Sequence, residues 1–226
     1  DYAMTQGINF VDTAEMYSVP GRPETSGSTE RIIGSWLQKT GKRKDIILAT
    51  KATGPSPAFK HISDKLGFSK VRLSEALEGS FKRLQTDYID VYQLHWPERK
   101  TNFFGTLGYV NHDTEWQDNF EETIDCLESM IQEGKIRHWG LSNESAWGVM
   151  RSCLITDGKK QPRPLTIQNP YNLLNRSFEI GLSEISLREN IGLLAYSPLG
   201  FGLLSGKFHN HTDTPSDRIN QFKNLA

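Results

Sequence analysis

The chain has 226 residues, enough for a sizeable core in one large domain or two small ones, and its 26 Lys and Arg against 27 Asp and Glu leave a formal charge of −1. The two signs are interspersed, which excludes an extended basic or acidic face for nucleic acid or an anionic membrane and points to a small-molecule partner. No apolar run approaches the roughly 18 residues needed to cross a bilayer.

Along the chain, short apolar runs bounded by turn residues alternate with helical patterns. Residues 1–7, DYAMTQG, open without a Met as though inside a helix, and FKNLA at 222–226 ends as abruptly, so a piece of a longer protein is expected. The first strand is expected at residues 9–14 (NFVDTA), followed by a Ser/Thr-capped helix at 28–40 and a strand at 45–50 (DIILAT). A helix over 69–86 carries Val71, Leu73, Leu77, Phe81 and Leu84 at helical spacing, and a strand follows at 88–95 (YIDVYQLH). Next come a helix at 119–134 closed by Gly134, a strand at 136–143 (IRHWGLSN) and a helix at 145–158. The pattern ends with a strand at 165–171 (LTIQNPY), a helix at 177–190 and a strand at 192–199 (GLLAYSPL). Each strand reads as buried on both faces, and the alternation predicts an α/β fold with a parallel sheet and right-handed crossovers. No linker divides it, so residues 1–226 are expected to form one domain.

Two parallel architectures fit this order. A doubly wound dinucleotide fold would carry G-x-G-x-x-G after its first strand, which is absent, and the glycine-rich GFGLLSG at 200–206 follows a late strand. Polar residues instead collect where strands stop: Asp12, Lys51, His95, Ser142 and Asn143, Gln168, Tyr196 and Ser197. In a closed barrel those ends converge on one active face.

Asp12, Lys51 and His95 each close an apolar strand, and Tyr17 lies on the first of the loops that follow. Reducing a carbonyl requires a hydride on carbon and a proton on oxygen, and a phenol can supply the proton. Its reference pKa is roughly 10, which a neighbouring ammonium would lower, while a carboxylate paired to the lysine keeps it charged and aimed. Asp12 then serves Lys51, Lys51 serves Tyr17, and His95 donates a hydrogen bond to the substrate oxygen.

NFVDTAEMY at 9–17, ATK at 49–51, QLHWP at 93–97, GLSN at 140–143, IQNPYN at 167–172 and AYSPLGFGLLSGK at 195–207 resemble the aldo-keto reductases, in order and over essentially the whole chain. The long first loop, residues 14–30, is most similar to the Tas-like bacterial branch, near the potassium-channel β subunits. The resemblance implies a (β/α)8 TIM barrel reducing aldehydes or ketones to alcohols, with catalytic Asp12, Tyr17, Lys51 and His95 and with NADPH extended across the mouth. It further implies that Ser142 and Asn143 bond the nicotinamide amide beside Gln168, that Tyr196 stacks on the nicotinamide ring, and that Asp12 borders the cofactor. Ser197, Pro198, Leu199, Gly200, Ser205 and Lys207 would cradle the pyrophosphate, where glycines at 200, 202 and 206 permit close backbone approach.

Such barrels have eight strands and six are legible, so the domain is expected to be truncated to about six βα units, lacking the first strand and everything from the eighth onward. That C-terminal part normally reads the 2′-phosphate, so NADPH over NADH is implied by the family alone. The alternative is a nucleotide-binding regulatory subunit like the channel β subunits; those replace the histidine that stands here as His95, which favours an enzyme.

Other residues read as structural. Cys126 and Cys153 sit on different expected helices as inert core thiols, which fits a reducing, cytoplasmic setting. His138 and Trp139 read as barrel packing, and His209 with His211 lacks a third ligand, so no metal is expected. The long loop 98–118, with Phe103, Phe104, Tyr109 and Trp116, is expected to roof a substrate together with Trp96.

Overall fold

Apolar runs and helical stripes alternate in the folded chain as they do in the sequence. The computed structural model describes residues 1–104, 108–109, 115–209 and 214–221. A short helix α1 (Tyr2–Thr5) leads into β1 (Phe10–Asp12), α2 (Ser28–Thr40), β2 (Ile47–Ala52), α3 (Lys70–Leu84) and β3 (Ile89–Leu94). There follow α4 (Phe120–Gln132), β4 (Ile136–Ser142), α5 (Ala146–Lys159), β5 (Thr166–Pro170), α6 (Leu182–Arg188), β6 (Gly192–Tyr196) and α7 (Arg218–Gln221). The six strands of the described residues form one parallel sheet in the order β1-β2-β3-β4-β5-β6. This is a curled half-barrel of βα units, as expected for a truncated (β/α) barrel.

Alternation along the strands divides the molecule into two zones. Leu48, Tyr92, Leu94, Trp139, Leu141 and Ile167 face the helices and pack in one core with Leu73, Leu77, Leu84, Ile124, Leu127, Val149 and Cys153. The opposite face carries Lys51, Gln93, Gly140 and Thr166, which follow one another in register across four strands. A Cβ on Gly140 would lie 2.4 Å from Thr166 Oγ1, so that face is closely packed where the strands cross its middle.

Several local expectations are corrected. β1 and β6 are only partly buried, because each has a strand neighbour on one side alone. Helix α2 has Gly27 at its N-cap, at φ 71°, with no side-chain cap; Ser28 and Thr29 lie inside the helix. Serine caps do operate elsewhere: Ser69 Oγ accepts from Arg72 N on α3, and Ser145 Oγ from Gly148 N on α5. Val71 is exposed, since the buried face of α3 runs through Leu73, Ala76, Leu77, Ser80 and Leu84. The helix expected over 177–190 is divided into a 3₁₀ turn at Ser177–Glu179 and α6, with Gly181 at φ 87° between them. His138 is exposed while its neighbour Trp139 is buried and donates from Nε1 to Pro162 O at 2.8 Å. Cys126 and Cys153 are free and buried, on α4 and α5, and burial pushes both thiols up. Among the described residues no helix is long and apolar enough to cross a membrane.

Candidate active site

Backbone pairing continues past the strand ends and fixes the loops that carry the polar residues. Thr13 N donates to Ala49 O at 2.9 Å, Glu15 N to Lys51 O at 3.1 Å and His95 N to Ala52 O at 3.1 Å. Asp12, Lys51 and His95 are thereby set on one rim by three adjacent strands. Lys51 is fully buried, and its Nζ donates to Asp12 Oδ2 at 2.6 Å and to the Thr13 carbonyl at 2.7 Å. The other Asp12 oxygen accepts from Gln93 Nε2 at 3.0 Å and from Gln168 Nε2 at 3.1 Å. One carboxylate thus ties together β1, β2, β3 and β5.

Tyr17 is turned back over this pair. Its N–H donates to Ala14 O at 3.1 Å, and the loop is held by Glu15, which accepts from Thr53 N at 3.1 Å and from Arg72 Nη2 at 2.5 Å. Lys51 Nζ lies 4.9 Å from the Tyr17 ring centroid, and the His95 ring meets Tyr17 edge-on at 5.6 Å. The four residues singled out in the sequence therefore lie together, with Lys51 bonded to Asp12 and set against the Tyr17 ring, which His95 meets edge-on.

The electrostatics differ from the expectation in one respect. Burial, then the charge of Asp12, pushes the Tyr17 phenol up rather than down. Lys51 spends its Nζ contacts on Asp12 and Thr13, so its charge is offset by the carboxylate that Tyr17 also feels. Lys51 itself is held below the usual ammonium range by burial, with Asp12 opposing. Burial, then Lys51, holds His95 well below its usual range, which makes it a neutral imidazole at pH 7. Its Nδ1 has no partner among the described residues.

A second group adjoins the first. Ser142 Oγ donates to Gln168 O at 3.1 Å, and Asn143 Nδ2 donates to His95 O at 2.9 Å and to Ser142 Oγ at 3.1 Å. Tyr196 Oη donates to Asn143 Oδ1 at 2.7 Å, and its phenol is raised by burial and by Tyr17. Ser142, Asn143, Gln168 and Tyr196 form a hydrogen-bonded chain reaching both His95 and Asp12. Beyond β6, Ser197 adopts φ 55° and its carbonyl accepts from Asn172 Nδ2 at 2.8 Å. Pro198 and Leu199 are exposed, and Leu199 (φ −98°) followed by Gly200 (φ 51°) makes a right-then-left-handed pair as in anion-binding nests, with Gly200 N donating to Ser197 O at 2.9 Å. Ser205 Oγ donates to Gly202 O at 2.6 Å. The ammonium of Lys207 is engaged by Asp217 at 2.5 Å, a contact that holds the Asp217 carboxyl down to about 2.

Trp96 stands against His95 at 4.8 Å and against Phe59 and Phe104 at 5.7 Å each, with Phe103 packed alongside. Trp116, expected in the same roof, instead meets Phe120 and Trp147. Tyr109 is exposed, and residues 105–107 and 110–114 of this loop lie outside the described residues. His209 is exposed, and His211 lies outside the described residues. The sequence reading missed Gln93. Its signal was available, since it stands two residues before His95 on one strand and so faces the same way.

Residues 1–224 match the model of the Aldo/keto reductase family. The chain is 53% identical over 211 residues to Protein tas of Escherichia coli, covering 93% of this chain and 61% of that protein. It is 39% identical to an aldo-keto reductase of Babesia bovis, over 78% of this chain and 66% of the relative. A probable voltage-gated potassium channel subunit beta of Arabidopsis thaliana is 31% identical over 97% of this chain and 60% of its own length. The chain thus spans about 61% of the E. coli relative's length. A match running through all six strands, over a sheet that collects its polar residues at one rim, means that the chain belongs to the aldo/keto reductase family.

Proposed function

We propose that this protein is an NADPH-dependent reductase that converts aldehydes or ketones to alcohols, with Tyr17 as the proton donor. The observation that carries the reading is the buried Lys51–Asp12 pair beneath Tyr17, with a neutral His95 beside it. As charge develops on the carbonyl oxygen, Tyr17 gives up its proton, and the Lys51 ammonium stabilises the phenolate left behind. Asp12 keeps Lys51 charged, and Gln93 and Gln168 keep Asp12 in place. The raised phenol keeps Tyr17 protonated until that step. His95, as a neutral donor, orients the substrate oxygen, and Trp96, Phe59, Phe103 and Phe104 give the substrate's carbon skeleton an apolar wall.

The residues present suit a nicotinamide dinucleotide. Tyr196 offers a ring pinned by its hydroxyl, Asn143 and Gln168 offer amides next to it, and Asn169 Oδ1 lacks a partner among the described residues. The Leu199–Gly200 nest suits a diphosphate, with Ser197, Pro198 and Ser205 around it, and Lys207 would have to exchange Asp217 for that anion. When bound, such a cofactor supplies the hydride.

An NADPH-oxidation screen of the full-length protein against a panel of aldehydes tests the reading. Turnover is expected, and Tyr17→Phe should lower it by about 10²-fold or more while leaving cofactor affinity nearly unchanged. Full activity in that variant would remove Tyr17 from the chemistry. The similarity to the Arabidopsis channel subunit supports a second reading, a nucleotide-binding regulatory subunit, which tight NADPH binding without turnover of any aldehyde would favour.

A further inference from the structure

A cavity of about 390 Å³ lies among the loops that follow β1 and β2, between the N-terminus of α2, the side of α3 and residues 61–63, and Asp12, Tyr17, Lys51 and His95 are not among the residues that line it. That size falls within the range of small-molecule sites, about 300–1,000 Å³. Its wall carries three guanidinium groups. Arg31, Arg72 and Arg83 line it together with His61, against the carboxylates of Glu15 and Glu75. Glu15 is already committed, one oxygen to Arg72 Nη2 and the other to Thr53 N. Glu75 is exposed.

Arg72 is only 4% exposed, yet its Nε, which lies in a residue lining the cavity, has no hydrogen-bond partner among the described residues. A buried guanidinium N–H left unpaired is costly, and an oxyanion is the group that relieves it best. The N-terminus of α2 adds a second, independent feature. Gly27 at its N-cap supplies no side-chain cap, and although Ser28 N donates to Thr25 O at 3.0 Å, the N–H groups of Thr29 and Glu30 remain for a ligand; Gly27 and Ser26 line the cavity. The other two guanidinium groups close over the same point: a Cβ on Gly27 would lie 2.6 Å from Arg83 Cδ and 3.1 Å from Arg31 Nη1. Arg83 is anchored by Nε to Glu30 at 2.6 Å, and among the described residues the Arg31 guanidinium bonds to the Ser26 carbonyl, at 2.8 Å from Nη2. Arg31 is thus the cation most able to swing onto a ligand.

We infer that this cavity, which none of the four catalytic candidates lines, is a binding site for a phosphate-type oxyanion, either free phosphate or the phosphate group of a small metabolite. Phosphate would sit over the α2 N-terminus, between Arg31 and Arg83, with its remaining oxygens towards Arg72.

Calorimetric titration of the full-length protein with inorganic phosphate, and with glycerol 3-phosphate, at ionic strength matched by chloride tests this. Saturable heat and a raised Tm are expected with both. Tighter binding of the ester assigns the site to a phosphorylated metabolite, and equal affinity assigns it to free phosphate. Arg31→Ala, which removes one charge-assisted contact from an exposed side chain, should weaken binding by about tenfold. With NADPH present in excess to fill the loop after β6, Lys207→Ala should leave the affinity unchanged. Because Arg72→Ala breaks a buried ion pair and could unfold the loop, it serves only as a second variant, read by its Tm response to phosphate. Heats equal to those of chloride alone, an Arg31→Ala affinity like that of the parent, or loss of binding in Lys207→Ala would each overturn the inference.

Discussion

Lys51 is a fully buried ammonium whose charge rests on one carboxylate. Desolvation of such a group is unfavourable, and the 2.6 Å contact with Asp12 offsets much of it. Asp12→Asn should therefore destabilise the fold by about 2–3 kcal/mol, below the usual cost of breaking a buried pair because Asp12 still reaches solvent. The loss should depend on pH in a stated direction. The folded-state pKa of Lys51 lies below its unfolded value, so between the two the unfolded chain binds more protons and stability rises with pH. Without Asp12 that folded value drops further and the window widens downward. Thermal melts from about pH 7 to about pH 10 should show Tm climbing more steeply in Asp12→Asn than in the parent, and parallel curves would mean that Asp12 does not hold the charge. His95 gives the same sign at the acid end. Its folded value is depressed, so stability falls as pH drops below about 6.5, and His95→Gln should flatten the acid limb of the melting profile. Asp12, Lys51 and His95 were legible in the sequence because each ends an apolar run. The direction of the Tyr17 shift was not, because it depends on how deeply the phenol is buried, which no local pattern records.

Helices α2 and α3 meet at a glycine. A Cβ on Gly34 would lie 2.3 Å from Arg83 O and 2.8 Å from Leu84 C, both backbone atoms that cannot swing aside. Gly34→Ala should destabilise by about 1–3 kcal/mol despite alanine's better helix propensity, because α2 must move off α3. Gly158 on α5 has open space around its Cβ position, so Gly158→Ala should stabilise by about 0.5–1 kcal/mol. Urea midpoints of the two variants moving in the same direction would contradict this packing. The elements themselves were largely readable: among the described residues six apolar runs became six strands, five of them shorter than expected and the second displaced from 45–50 to Ile47–Ala52. What was misread was orientation. Val71 was grouped with Leu73 and Leu77, but two residues place it about 200° round the helix from Leu73, so it faces solvent. The interruption at Gly181 was hidden because a single glycine is compatible with a helix until its φ is known.

At the scale of the molecule, the sheet has two free margins. Among the described residues β1 and β6 each lack a neighbour on one side, and Ile8, Leu199 and Leu203 are exposed close to them in sequence. Unpaired strand edges with apolar flanks recruit other chains. The 226-residue chain expressed alone should therefore self-associate and bind NADPH at least about tenfold more weakly than the full-length protein. Sedimentation as a single monomeric species, with the full-length affinity in a fluorescence titration, would show these margins to be harmless. The strictly sequential strand order also sets a timetable. Each strand bonds to the one synthesised before it, so the sheet can grow in the order in which the chain leaves the ribosome. Asp12, Lys51 and His95 can gather once β3 has emerged, whereas Tyr196 reaches Asn143 only after β6. At about 5–20 residues per second that interval lasts roughly 5–20 s. During it the nascent chain already holds a desolvated ion pair while Gln168, one of the two amides that steady it, is still to come.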